Sequence, residues 1–170
     1  GTYQPNTGQT LCLDADTGYY VDTTAQTEQI ACTPGFYQDV NGASFCYYAF
    51  AGNYVDTTAS STQTECPVGT YQPDTGQTSC DDADAGYYVA YVRESSQSAC
   101  AIGTYQPNTA QDSCLDADAG HYVAVTASTT QEECPAGTYN ANTESTSSDD
   151  CLDADAGYYV PVSYTHLTLP

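Results

Sequence analysis

The sequence predicts a small disulfide-rich β fold, an elongated ladder of 17-residue hairpin-like units with no large core. Three observations predict this fold. The 170 residues include nine cysteines, glycines recur every 17 residues along most of the chain, and Leu, Ile, Val and Phe together supply only 21 residues. An ordinary globular domain of this length buries a large aliphatic core. Because this chain lacks the side chains for one, covalent bridges must replace it.

The charge of the chain excludes several classes of function. Asp and Glu number 22, Arg93 is the single basic residue apart from two histidines, and the formal net charge is -21. Nucleic-acid binding needs Lys and Arg to replace the counterions around phosphate, and a basic membrane-surface helix needs the same residues. No apolar run approaches the ~20 residues of a membrane span. We therefore expect no nucleic-acid partner and no direct membrane insertion in this segment.

Glycines define the repeat. Ten glycines, each followed two residues later by a tyrosine, are spaced by 17 residues except for a final interval of 20. We expect these tyrosines to pack against the bridges as the minimal core: Tyr3, Tyr20, Tyr37, Tyr54, Tyr71, Tyr88, Tyr105, Tyr122, Tyr139 and Tyr159. Two units make one 34-residue repeat, which predicts a truncated first repeat at 1–34, full repeats at 35–68, 69–102 and 103–136, and a truncated fifth at 137–161.

Cysteines occur in alternate units, three residues before the glycine and eleven after it. The intervening units have Ala at the first position and, where the repeat is intact, Gln at the second. Because both positions change together, we predict that they are the two ends of one bridge. The predicted pairs are Cys32–Cys46, Cys66–Cys80, Cys100–Cys114 and Cys134–Cys151. Cys12 is then unpaired, with its mate expected before residue 1. Connectivity is not fixed by sequence alone, so the alternative that starts with Cys12–Cys32, crosses unit boundaries and leaves Cys151 unpaired remains open.

Each bridged unit is expected to form a two-stranded hairpin. Its Gly-x-Tyr segment favours a strand, and segments such as Gln4-Pro5-Asn6-Thr7-Gly8 have the Pro and Gly of a turn. No window shows helical periodicity with caps. Closing a loop of about 15 residues contributes ~3 kcal/mol, so four bridges contribute on the order of 10 kcal/mol.

The last nine residues depart from the repeat. An unbridged unit would have Gln eleven residues after Gly157, but position 168 is Thr. The segment 162–170, VSYTHLTLP, resembles a translated transposon-end sequencing adapter. We therefore expect 162–170 to be an artefact and the chain to be an interior, metagenomic fragment of a longer protein. The alternative is a divergent natural C-terminus.

Two segments, Cys66–Tyr71 and Cys134–Tyr139, share the pattern Cys-Pro-x-Gly-Thr-Tyr. The pattern resembles the ephrin-receptor-like cysteine-rich repeat, one of the small disulfide modules of the growth-factor-receptor and tumour-necrosis-factor-receptor class. The resemblance covers nearly all of residues 1–160. In that family two bridges alternate, whereas here Ala and Gln replace the second bridge. The resemblance implies an extracellular or cell-surface location and a spacer or binding role without catalysis.

Paired aspartates precede four of the glycines and are the candidate metal ligands. Alternating carboxylates on a turn could share Ca²⁺, which takes six to eight oxygen ligands. The candidates are Asp14, Asp16, Asp82, Asp84, Asp116, Asp118, Asp153 and Asp155. Their spacing differs from that of an EF-hand loop, and the corresponding segment Tyr48–Gly52 has no carboxylate. The alternative is a solvated acidic turn with no cofactor.

No set of residues predicts an enzyme. The chain has no Cys-x-x-Cys, phosphate-binding loop or Ser-His-Asp arrangement, His121 occupies an aromatic position, and Cys114 is expected to be bridged. We therefore predict a non-catalytic stalk or adhesion module. The alternatives are a Ca²⁺-stiffened rod and a receptor-like ectodomain for an unidentified protein or glycan. In the latter, the atypical second repeat, with Phe45, Tyr47, Tyr48 and Phe50, would be the binding patch.

Overall fold

The computed structural model describes residues 1–160, and its regular structure is almost entirely β. Eighteen two-residue strands form nine antiparallel hairpins of consecutive strands within these residues. The predicted disulfide-rich β fold of 17-residue units is confirmed. The predicted adapter segment 162–170, with His166, lies outside the described residues. Within residues 1–160, no helix has the length and apolar content to cross a membrane.

The strands fall at the same two places in every unit, directly after the glycine and about twelve residues later. They are β1 Thr2–Tyr3, β2 Leu13–Asp14, β3 Tyr19–Tyr20, β4 Ile30–Ala31, β5 Phe36–Tyr37, β6 Tyr47–Tyr48, β7 Asn53–Tyr54, β8 Thr64–Glu65, β9 Thr70–Tyr71, β10 Asp81–Asp82, β11 Tyr87–Tyr88, β12 Ser98–Ala99, β13 Thr104–Tyr105, β14 Leu115–Asp116, β15 His121–Tyr122, β16 Glu132–Glu133, β17 Thr138–Tyr139 and β18 Leu152–Asp153. One 3₁₀ turn, Ser148–Asp150, lies between the last two strands.

The chain divides into two compact units, one of residues 1–81 with 91–96 and one of residues 82–90 with 97 onward. In the first unit, backbone hydrogen bonds join consecutive hairpins. The Gly18 N–H donates to the Gln38 carbonyl at 2.7 Å, and the Val21 N–H donates to the Ala43 carbonyl at 3.0 Å. Each hairpin therefore supplies backbone hydrogen-bond partners to its neighbour, although its own strands are only two residues long.

The second compact unit repeats this arrangement with different residues. The Gly86 N–H donates to the Gln106 carbonyl at 2.7 Å, and the Val89 N–H donates to the Gln111 carbonyl at 3.0 Å. The same separations, 20 and 22 residues, occur in both units, because the hairpins that these bonds join have the same length. The 17-residue period therefore matters for the hydrogen bonds between consecutive hairpins as well as for the strand pairing within each hairpin.

A close backbone approach requires the opening glycine in six hairpins, although nothing lies within 4 Å of a Cβ atom at Gly137. Gly52 has a φ of 78°, and a Cβ atom at this position would lie 2.1 Å from the carbonyl oxygen of Arg93, two hairpins further along the chain. Only glycine accommodates both the positive φ and the approach. Arg93 also forms an ion pair with Glu65 at 3.8 Å, but both side chains are more than half exposed, so it contributes little.

Small and polar side chains form the buried centre of both units. In the first unit they are Ala15, Val21, Cys32, Gln38, Ala43, Ala49, Asn53, Val55, Cys66 and Gln72; in the second they are Ala83, Val89, Cys100, Gln106, Ala117, Val123, Asn140 and Ser145. Three residues after the repeat glycine, Val alternates with Gln or Asn. Gln38 donates from Nε2 to the Phe45 carbonyl at 2.7 Å and accepts from the Val40 N–H at 3.1 Å. No buried side-chain polar atom within residues 1–160 lacks a hydrogen-bond partner, so amide side chains can replace aliphatic ones here.

The last hairpin absorbs three extra residues without losing its register. Its cysteines are 17 residues apart instead of 14, and Tyr139 still pairs with Leu152. The extra residues form the 3₁₀ turn, which Ser147 caps by accepting a hydrogen bond from the Asp149 N–H. The longer interval in the sequence therefore corresponds to a local insertion in a loop.

Candidate functional site

Disulfides close the hairpins of alternate units. They join Cys32–Cys46, Cys66–Cys80, Cys100–Cys114 and Cys134–Cys151, with a Cα–Cα distance of 5.8 Å in each. These are the pairs that the alternation of Cys with Ala and Gln favours. Cys12 is free and exposed. Each bridge links the residue three positions before the repeat glycine to the residue directly before the second strand, so it fixes the base of the hairpin.

Within residues 1–160, a side-chain amide closes four of the five hairpins that lack a disulfide; the exception is the first hairpin, which contains the free Cys12. In the hairpin that begins at Gly86, the Asp84 N–H donates to Gln97 Oε1 at 2.7 Å, and Gln97 Nε2 donates to Asp84 Oδ2 at 2.7 Å. Two further pairs repeat this arrangement, Asp16 with Gln29 and Asp118 with Gln131. We call this reciprocal pair the amide brace. It occupies the place of the missing bridge.

Sequence reasoning identified the glutamine but missed its partner. The signal was present, because each of these aspartates lies two residues before the repeat glycine and 13 residues before its glutamine. The hairpin at Gly52 is informative, since Phe50 stands where the aspartate would be. There the Phe50 N–H still donates to Gln63 Oε1 at 2.8 Å, and one half of the brace is retained.

The candidate calcium ligands do not converge. The brace engages Asp16, Asp84 and Asp118, whereas the candidates on the second strands and in the last repeat are exposed: Asp14, Asp82, Asp116, Asp153 and Asp155. In residues 1–160, no group of three or more His, Cys, Asp or Glu side chains could hold a metal ion. The second aspartate of the first three pairs thus has a hydrogen-bonding role in the hairpin.

The repeat tyrosines flank the buried centre and do not fill it. Nine of them are half-buried, and Tyr159 is 52% exposed. In the hairpin at Gly120, the Tyr122 hydroxyl donates to Glu132 Oε2 at 2.8 Å, and this hydrogen bond raises the pKa of Tyr122 above its usual range. The hydroxyl ends of such rings remain near solvent, while Val, Cys, Ala and Gln occupy the interior.

His121 and Cys114 do not form a nucleophile and base. Cys114 is in a disulfide, and the half-buried His121 lies with Nδ1 3.3 Å from the Ala119 carbonyl oxygen. His121 takes the place that Tyr19, Phe36 or Tyr87 occupies in related hairpins. Its imidazole therefore belongs to the hairpin's aromatic position.

The hairpin of residues 35–51 carries the densest group of aromatic rings. Four of them form a continuous group, which we call the aromatic surface: Tyr37, Phe45, Tyr47 and Phe50. The ring centroids of Tyr37 and Tyr47 are 5.9 Å apart, those of Phe45 and Tyr47 are 5.0 Å apart, and those of Tyr37 and Phe50 are 6.5 Å apart. Phe45, Tyr47 and Phe50 are between 41% and 53% exposed. These rings form a contiguous exposed apolar surface on a chain with a net charge of -21.

Comparison with protein-family models and with curated proteins finds no match for the chain. The cysteine-rich repeat architecture therefore rests on the disulfides and hairpins themselves, and the resemblance to ephrin-receptor-like repeats stays a prediction. Four disulfides in a chain of repeated hairpins are compatible with an extracellular module, because such bridges persist in oxidising compartments.

Proposed function

We propose that this segment is a non-catalytic spacer of a secreted or cell-surface protein, with the repeats holding other domains apart. The observation that carries this proposal is the recurrence of the same hydrogen bonds at successive hairpin junctions. The bond from Gly18 to Gln38 in one compact unit has its counterpart from Gly86 to Gln106 in the other. A chain in which each repeat binds only its neighbours gains length with every repeat added.

The acidic surface supports the same role. A net charge of -21 keeps a chain soluble and opposes its collapse through self-repulsion. Disulfides and amides together supply stability that a spacer needs without a thick core, since they close eight of the nine hairpins in residues 1–160. The prediction of no catalysis has the same basis in composition, because a chain this polar is poorly suited to build the apolar pocket in which a catalytic group acquires a shifted pKa.

The proposal is tested by changing the number of repeats. Deleting residues 69–102 joins Val68 to Gly103 and keeps the register, so that Cys66 and Cys114 are expected to pair. Duplicating the same residues adds one repeat. We expect the maximum dimension measured by small-angle X-ray scattering to fall and rise by the same increment, with all paired cysteines still oxidised. A maximum dimension that does not change with repeat number would contradict a spacer role.

A further inference from the structure

We infer that the aromatic surface binds a basic segment of a partner protein, whose arginine or lysine side chains stack on the exposed rings. This interaction goes beyond a spacer role, because it assigns recognition to one of the nine hairpins in residues 1–160. Three features of the hairpin support it: the geometry of the rings, the residues that replace them in related hairpins, and the charge around them.

The geometry presents several rings to one ligand. Phe45 meets Tyr47 at 81°, and Phe50 meets Tyr37 at 73°, so both ring faces and ring edges are presented. Tyr37 and Tyr47 pair across the two strands at 43°. A guanidinium or ammonium group within about 6 Å of a ring centroid is attracted by the negative face of the ring. Rings separated by 5.0–6.5 Å allow one cation to contact two of them.

Related hairpins show that the fold does not require these rings. At the positions of Phe45 and Phe50, the hairpin at Gly69 has Ser79 and Asp84, and the hairpin at Gly103 has Ser113 and Asp118. These hairpins form the same two strands. The aromatic surface is therefore an addition to the hairpin, and its exposure in water carries a cost that packing within the hairpin does not explain.

The two remaining aromatic residues of this hairpin have a packing role and are not part of the inference. Phe36 and Tyr48 pair across the strands with ring centroids 4.6 Å apart. A Cβ atom at Gly76 would lie 2.9 Å from Cδ1 of Tyr48, so the Tyr48 ring lies over that turn. This contact accounts for Tyr48 but not for Phe45 or Phe50.

The charge near the aromatic surface favours a cation. Asp39 stands where three related hairpins have Pro5, Pro73 or Pro107. Burial, together with the nearby Asp39 carboxylate and Tyr47, raises the pKa of Tyr37 above its usual range. No Lys or Arg occurs in residues 35–51, and the whole chain carries a net charge of -21. Sugars also stack on aromatic rings, but a neutral sugar gains nothing from this electrostatic field.

The test uses the full chain and a defined probe, an eight-residue peptide of alternating Gly and Arg with blocked ends. The matched control peptide has citrulline in place of Arg, which keeps the shape and removes the charge. All three phenylalanines of the chain, Phe36, Phe45 and Phe50, lie in this hairpin, so selective Phe labelling confines the NMR signals to it. At 150 mM salt, we expect the Arg peptide to shift the Phe45 and Phe50 ring signals, and neither the citrulline peptide nor cellohexaose or chitohexaose to do so.

Three substitutions decide between stacking and general attraction to an acidic chain. Phe45→Ser and Phe50→Asp introduce residues that related hairpins already carry, so folding is expected to be preserved. Tyr91→Ser is the matched control, because Tyr91 is 72% exposed and lies outside the aromatic surface. Loss of one cation–π contact weakens binding by about three- to tenfold, so we expect this loss for Phe45→Ser and Phe50→Asp and none for Tyr91→Ser.

Phe50→Asp is the decisive variant, since it adds a negative charge while removing a ring. General electrostatic attraction would then strengthen. Peptide binding that is unchanged or tighter in this variant overturns the inference, as does equal binding of the citrulline peptide. Shifts of the Phe signals by cellohexaose or chitohexaose without shifts by the Arg peptide overturn it as well, and indicate a glycan surface.

Discussion

Two kinds of hairpin alternate along this chain, and they close the same loop with different chemistry. In the hairpin at Gly103, Cys100 and Cys114 form a disulfide. In the hairpin at Gly86, Asp84 and Gln97 form an amide brace with two hydrogen bonds of 2.7 Å. A disulfide persists when the hairpin opens and acts mainly by restricting the unfolded chain. The brace is lost on opening, and it contributes about as much as one or two ordinary hydrogen bonds.

The difference shows that only every second hairpin needs a covalent link. The hairpin at Gly86 is tied to the bridged hairpin after it by the bond from the Gly86 N–H to the Gln106 carbonyl. Within this hairpin, the Cys100 N–H donates to the Gly86 carbonyl at 2.9 Å, which adds a backbone hydrogen bond next to the two strands. A braced hairpin therefore obtains part of its stability from a bridged neighbour. The comparison predicts that exchanging the two closures changes stability in opposite directions.

Removing a bridge is expected to have the largest effect. Cys100→Ala with Cys114→Ala should lower the free energy of unfolding by about 2–5 kcal/mol, since the unfolded chain regains the freedom that the bridge removed. Urea denaturation measures the loss. Hydrogen exchange of the Ala117 amide, which donates to the Gly103 carbonyl at 2.8 Å, locates the loss in this hairpin.

The hairpin that has lost its bridge also tests whether an amide brace can be introduced. Changing position 114 to Gln and adding Ala101→Asp recreates the residues of a braced hairpin in a bridged position. We expect this version to recover about 1 kcal/mol of the lost stability, the contribution of the two new hydrogen bonds after water is displaced. No recovery would mean that the brace depends on features of its own hairpin other than Asp and Gln.

The reverse exchange is expected to have a smaller, positive effect. Ala83→Cys with Gln97→Cys places cysteines where bridged hairpins have them, in a hairpin with equivalent register. We expect a disulfide to form and stability to rise by about 2 kcal/mol, the ~3 kcal/mol of a bridge less the ~1 kcal/mol of the brace. Thiol titration tests bridge formation, and urea denaturation with and without reductant measures the gain. Thiols that stay free in oxidising buffer would show that the two kinds of hairpin differ in backbone geometry.

Much of this architecture was predictable, because the repeat supplies an internal comparison. The joint change of both cysteine positions to Ala and Gln indicated the pairs, and the period indicated the units. The partner of each glutamine was harder to predict. Asp84 precedes the first strand of its hairpin and Gln97 directly precedes the second strand, and the register of the hairpin brings these two residues together. The pattern of a single sequence does not reveal which way their side chains point.

The buried centre was also not predictable from composition. We expected the tyrosines to form it, but nine of those rings are half-buried and Tyr159 is exposed. Gln38 is almost fully buried instead, although glutamine is usually exposed. Its burial depends on the Phe45 carbonyl and the Val40 N–H facing inward, which is a property of the folded loop.

The response to calcium is a further comparison of bridged and braced hairpins, and we expect it to change stability the least. A bridged hairpin has no aspartate two residues before its glycine at Gly35, Gly69 or Gly103, whereas three braced ones do. In those hairpins the brace already uses one carboxylate oxygen of Asp16, Asp84 or Asp118, and one such carboxylate supplies few of the six to eight oxygens that Ca²⁺ takes. We therefore expect millimolar Ca²⁺ to raise the melting temperature no more than Mg²⁺ at equal ionic strength, both acting by screening a charge of -21.

Calorimetry of the full chain and of Gln97→Ala, in which Asp84 is released, measures the difference. A shift specific to Ca²⁺ in the full chain would instead favour the calcium-stiffened rod, and a shift confined to Gln97→Ala would show that the brace excludes the ion.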